Sequence, residues 1–147
     1  MRAVVTRVTS ASVRIDGKTV GEIGRGFLVL LGVAVEDTAE EARRIADRIC
    51  GLRVFEDENG KMNRNLEAVG GQVLIVSQFT LYADTSSRRP GFTRAARPET
   101  AVPLYELVIA ECRSRGFHVE TGVFGADMAV ESVNDGPVTI IFDTAEK

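Results

Sequence analysis

Two uninterrupted apolar runs constrain the fold of this chain more than any other feature. "GFLVLLGVAV" (residues 26–35) and the opening of "QVLIVSQFTLYAD" (residues 72–84) lack the alternation of a strand with one wet face. Neither approaches the length of a membrane span, so both read as buried strands, the second ending in polar residues. "AVVTRVTSASVRIDGKTVGEI" alternates apolar and polar residues across Asp16-Gly17, which is a hairpin signal. Thr38 followed by Glu41 forms a capping box, and Ala42, Ile45, Ala46 and Ile49 then recur at helical spacing up to Gly51. A second helix is expected with Thr100 as its cap, Pro103 in its first turn, an apolar stripe of Leu104, Leu107 and Val108, and a stop at Gly116. "FHVETGVFG", "MAVESV" and "VTIIF" read as closing strands, with Asn134-Asp135-Gly136 as a tight turn before the last of them.

Many strands, two helices and no regular βαβ alternation predict an α+β fold. The expectation is a single compact domain over residues 1–147, of mostly antiparallel β-sheets with two main flanking helices. A chain of 147 residues is long enough to bury roughly two-thirds of its unfolded surface. The start "MRAVVTRV" shows no signal or transit pattern, and a cytoplasmic protein is expected.

Conventional catalytic motifs are missing. His118, the one histidine, lies in an alternating segment and reads as structural. There is no G-x-S-x-G elbow, H-E-x-x-H, C-x-x-C pair or P-loop. "GEIGRGF" lacks dinucleotide spacing and precedes a strand instead of a helix. "FEDENGKMN" looks like a calcium loop, but Phe55 and Leu66 would occupy the first and twelfth ligand positions, so it reads as a turn. Cys50 and Cys112 read as a reduced, packed pair. No metal or cofactor is expected, and an enzyme built from this chain must rely on backbone donors, hydroxyls or its own substrate.

Three polar places remain. Ser77-Gln78-Phe79-Thr80 closes an apolar strand; it either faces solvent or uses unpaired N–H groups at the strand end as an oxyanion hole. "RRPGFTRAAR" carries Arg88, Arg89, Arg94 and Arg97 with no acid, which fits a solvated loop or an anion site. The net charge of −3 argues mildly against a general nucleic-acid binder. Pro137, directly after Gly136, has no N–H to give a sheet.

Taken together, "SQFTL" (residues 77–81) and "NDGPVT" (residues 134–139) resemble the D-aminoacyl-tRNA deacylase family. "MRAVVTRVTSASVRIDG", "GFLVLLGV", "GKMN", "RPGFTRAA" and "TGVFGADM" fit the same family in order, end to end. The resemblance implies a homodimer with two active sites, each formed across the subunit interface. One subunit supplies Ser77, Gln78, Phe79 and Thr80; the other inserts Gly136-Pro137, joined by a cis peptide bond, as the element of chiral selectivity. The implied substrate is the ester of a D-amino acid with the terminal adenosine of tRNA. Substrate contacts are expected from Arg88, Arg89, Phe124, Ala126, Met128 and Asn134, with Arg88, Arg89, Arg94 and Arg97 together contacting phosphates near the acceptor end. Two rival readings are a non-catalytic RNA-binding module and a purely structural dimer subunit.

Overall fold

A 14-residue strand, β1 (Arg2–Ile15), organises the molecule because both of its edges are paired. The computed structural model describes residues 1–146. Asp16 and Gly17, with φ of 50° and 77°, turn β1 into β2 (Lys18–Ile23), as a two-residue type I′ hairpin requires. β2 and then β3 (Gly26–Gly32) run antiparallel along successive stretches of β1. β3 pairs in parallel with β6 (Gln72–Ser77), and β6 in parallel with β7 (Val119–Thr121). A small hairpin of β4 (Phe55–Glu56) and β5 (Met62–Arg64) stands apart. Its turn is held by Asp57, whose Oδ1 accepts the N–H groups of Asn59 at 2.9 Å and Lys61 at 3.0 Å. Antiparallel pairs outnumber parallel ones, as expected; of the two parallel contacts, one joins the two apolar runs.

Those runs are covered on both faces. Phe27, Val29, Leu31, Val73 and Ile75 point into one core with helices α1 (Ala39–Gly51) and α2 (Pro98–Ser114). Leu28, Leu74 and Val76 point into a second core with Val8, Ala11, Val13 and Ile23. The sheet supplies its own second cover by curling: a Cβ added to Gly21 of β2 would lie 2.6 Å from the Thr121 carbonyl oxygen of β7. Each fully buried Val, Leu, Ile or Phe contributes about 1.5–3 kcal/mol.

The capping box of α1 is present, with Thr38 Oγ1 accepting the Glu40 N–H and Glu41 accepting the Thr38 N–H at 3.0 Å. The Thr38 contact holds the Glu41 carboxyl below its ordinary pKa. α2 begins earlier than the sequence reading placed it. Pro98 occupies its first position, where a missing N–H costs nothing, and Arg97 is the cap residue without a side-chain bond. Pro103 therefore sits inside the helix, not in its first turn; it is exposed, so the carbonyl it leaves unpaired can meet water. Cys50 and Cys112 are buried free thiols with sulfurs 3.7 Å apart between α1 and α2.

The C-terminal segment departs most from expectation. "MAVESV" and "VTIIF" are one strand, β8 (Ala129–Asp143), antiparallel to β1 throughout. Val8 pairs with Asn134 and Thr6 with Thr139, so the chain does not reverse at Asn134-Asp135-Gly136. Residues 135–138 stand opposite the single residue Arg7 as a wide bulge. The local turn chemistry is real, but β1 offers an unbroken edge on either side, so the surplus residues are extruded instead of folding back.

Candidate active site

Parallel pairing carries β6 to Ser77, opposite Leu31 of β3. Gln78 makes the last sheet contact, its N–H donating to the Leu31 oxygen at 2.8 Å. The backbone then leaves the sheet (Gln78 φ −146°, ψ 81°) and winds into a single 3-10 turn, Phe79–Tyr82. Gly32 permits this, since a Cβ there would come within 3.0 Å of the Gln78 oxygen and 3.1 Å of Leu81 Cβ. Leu81 and Ala83 N–H groups close the turn on the oxygens of Gln78 (3.2 Å) and Thr80 (3.1 Å). The first two donors of such a turn have no acceptor three residues back. Among the described residues the N–H groups of Phe79 and Thr80 make no hydrogen bond.

A cleft of about 280 Å³ opens beside this turn. Ser77, Gln78 and Phe79 line one wall; Phe124, Ala126 and Met128, from the loop between β7 and β8, line the other. No histidine, carboxylate, thiol or amine is among its lining residues. Thr80 lies just outside, exposed, its hydroxyl accepting a hydrogen bond from Gln78 Nε2. The Phe79 ring is 56% exposed and rests edge-on against Phe92, with centroids 5.1 Å apart. Beneath the strand end, the Tyr105 hydroxyl donates to the Ile75 oxygen at 2.7 Å, and burial pushes its pKa up to about 12.

The remaining expected residues are elsewhere on the same chain. Gly136 and Pro137 are exposed, are joined by a cis peptide bond and do not line the cleft. Asn134 braces the bulge, its Oδ1 accepting the Val138 N–H at 3.1 Å. Arg88 and Arg89 ride on an exposed loop pinned by the Asp84–Gly91 bridge, away from the cleft lining. His118 is exposed and faces Glu120 at 3.1 Å.

Sequence reasoning missed Arg7. This buried side chain donates from Nη1 to the Val54 oxygen at 2.6 Å and from Nε to the Asp135 oxygen at 3.1 Å, with the Asp135 carboxylate 3.4 Å away. It therefore holds the bulge that presents Gly136. Parity was the available signal: Ala3, Val5 and Arg7 share the inward register of β1, and an arginine there needs buried partners.

The family described as D-Tyr-tRNA(Tyr) deacylase matches residues 4–143. The chain belongs to that family. Among curated deacylase relatives, a D-aminoacyl-tRNA deacylase of Thermus aquaticus is 58% identical over 148 residues, covering 100% of this chain and 97% of the relative. Another, from Anaeromyxobacter dehalogenans (strain 2CP-C), is 59% identical, covering 98% of this chain and 97% of its own length. A solved structure described as "c-Myc DNA Unwinding Element Binding Protein" superposes with a TM-score of 0.93 at 41% identity, covering 98% of this chain and 99% of that one. A probable eukaryotic D-amino acid tRNA deacylase, 18% identical, shares the deacylase fold with a TM-score of 0.84 over 96% of this chain and 97% of its own.

Proposed function

We propose that this hydrolase of the deacylase family cleaves the ester of D-aminoacyl-tRNA, releasing a free D-amino acid and tRNA. The supporting observation is the pair of unbonded Phe79 and Thr80 N–H groups beside a cleft without a titratable side chain. An aminoacyl ester is already activated, so placement and charge stabilisation suffice. Water adds to the ester carbonyl, the oxyanion is held by the two N–H groups, and the ribose oxygen leaves with a proton. The vicinal 2′-hydroxyl assists in activating the water, and Phe79 and Gln78 position the adenosine. The setting is the cytoplasm, where aminoacyl-tRNA is made.

Stereochemical choice comes from exclusion by Gly136-Pro137 of a second copy of the chain. Within one chain these residues are absent from the cleft lining, although they are exposed and braced by Arg7. β8 pairs with β1 along one edge only and exposes Val130, Val133 and Ile141, features that a symmetric partner would cover. The side chain of a D-amino acid points away from this wall, so tolerance among D-amino acids is broad. Glycyl-tRNA, with no Cβ to exclude, is also cleaved.

Hydrolysis of D-Tyr-tRNA with L-Tyr-tRNA left intact is the expected result of a direct assay. Equal rates on both, or on neither, would sink the reading. Thr80→Ala is expected to keep activity within about tenfold, because the Thr80 contribution is its backbone N–H. A loss of several powers of ten would make the hydroxyl a covalent nucleophile instead.

A further inference from the structure

A second groove is lined by Phe92, the ring that touches Phe79. Its volume is about 630 Å³, and Val35, Phe92, Ala96 and Arg97 line it, with Thr100 and one acid, Glu99. Val35 is 57% exposed and Phe92 36%, large values for apolar side chains on a framed surface. The groove is rigidly built: the Val35 N–H donates to the Arg94 oxygen at 3.2 Å, and the Ala96 N–H to the Val33 oxygen at 2.9 Å. The approach is cationic. None of Arg88, Arg89, Arg94 and Arg97 forms an ion pair among the described residues. The Arg94 guanidinium instead sits 5.6 Å over the Tyr82 ring, close under the 3-10 turn.

We propose that this groove seats the nucleotide preceding the terminal adenosine of tRNA, its base against Phe92 and its phosphate toward Arg94 and Arg97. The inference rests on the deacylase reading and deepens it. Two contiguous aromatic rings beside unpaired arginines are the arrangement that holds single-stranded nucleic acid, with rings taking base faces and guanidinium groups tracking the backbone. Phe79 and Phe92 are in contact, so a strand whose last base lies by Phe79 reaches Phe92 with its next one. Stacking on an aromatic face holds a base without base-specific hydrogen bonds. The binding this adds is salt-sensitive and not sequence-specific.

The test compares two esters of D-tyrosine, one of adenosine alone and one of a dinucleotide ending in adenosine. The readout is the ratio of their KM values, which divides out any effect of a variant on Phe79 itself. In the wild type the dinucleotide ester is expected to have a KM about tenfold lower. Phe92→Ala should shrink that ratio several-fold, and Phe92→Tyr should restore it. A wild-type ratio near one, a ratio unchanged in Phe92→Ala, or a Phe92→Ala protein whose sedimentation changes while the ratio persists each overturns the proposal, the last by making the groove a contact between copies. Failure of the wild type to cleave either ester removes the deacylase reading itself, and the groove assignment with it.

Discussion

Gly136→Ala is expected to lower kcat/KM on D-aminoacyl-tRNA about a hundredfold and stability by about 2 kcal/mol. Gly136 has φ of +123°, a region L side chains rarely enter. A Cβ there would also lie 2.9 Å from Arg7 Nη2 and 2.9 Å from Val138 Cγ2. Arg7 is buried and already bonded, so it cannot swing away freely; the bulge itself must move. A wall displaced by an ångström at a reacting centre costs on the order of a hundredfold in rate. The measurements are kcat/KM on D-Tyr-tRNA and the urea midpoint. Wild-type turnover with a lowered midpoint would show that Gly136 serves only the fold.

Arg7→Leu is expected to cost about 3 kcal/mol and to erode rejection of L-aminoacyl-tRNA. The Val54 oxygen would lose a 2.6 Å donor and the Asp135 oxygen a 3.1 Å donor, and Val54 is buried. The Asp135 carboxylate, 39% exposed at its side chain, stays solvated, so the ion pair adds little and the two carbonyls carry the penalty. Without Arg7 the bulge is free to shift. Arg7→Lys should recover less than half of the loss, because an ammonium group cannot span both oxygens as the planar guanidinium does. Urea unfolding and the ratio of D-Tyr-tRNA to L-Tyr-tRNA hydrolysis report the two effects. An unchanged ratio in a destabilised Arg7→Leu protein would confine Arg7 to stability.

What could be read from the sequence was local. The two apolar runs are β3 and β6, buried on both faces; Asp16-Gly17 turns a hairpin; Thr38 and Glu41 cap α1. Each is decided within a few residues by periodicity, turn conformation or capping. One error arose where a distant element overrode a local signal, the other where two neighbouring signals competed. Asn134-Asp135-Gly136 has turn chemistry, yet the long edge of β1 keeps both flanks in one strand. Thr100 is a good cap by type, but Pro98 is better suited to a helix start and moved α2 forward. The cleft brings Ser77, Gln78 and Phe79 together with Phe124, Ala126 and Met128, with Thr80 outside its lining, because sheet order fixes a strand end beside its neighbouring loop. Arg7 and Phe92 went unseen because their roles depend on residues 128 and 13 positions away. Only the bulge gives the first its partner, and only the 3-10 turn gives the second.

In the proposed mechanism a backbone wall excludes whatever sits at the L position of the α-carbon. Single-turnover hydrolysis of glycyl-, D-alanyl- and L-alanyl-tRNA tests it most directly, since the three differ by one methyl group and its hand. Cleavage of the glycyl and D-alanyl esters and survival of the L-alanyl ester are expected. A glycyl ester that resists while D-alanyl is cleaved would contradict it, because the site would then be reading the D side chain instead of excluding the L one.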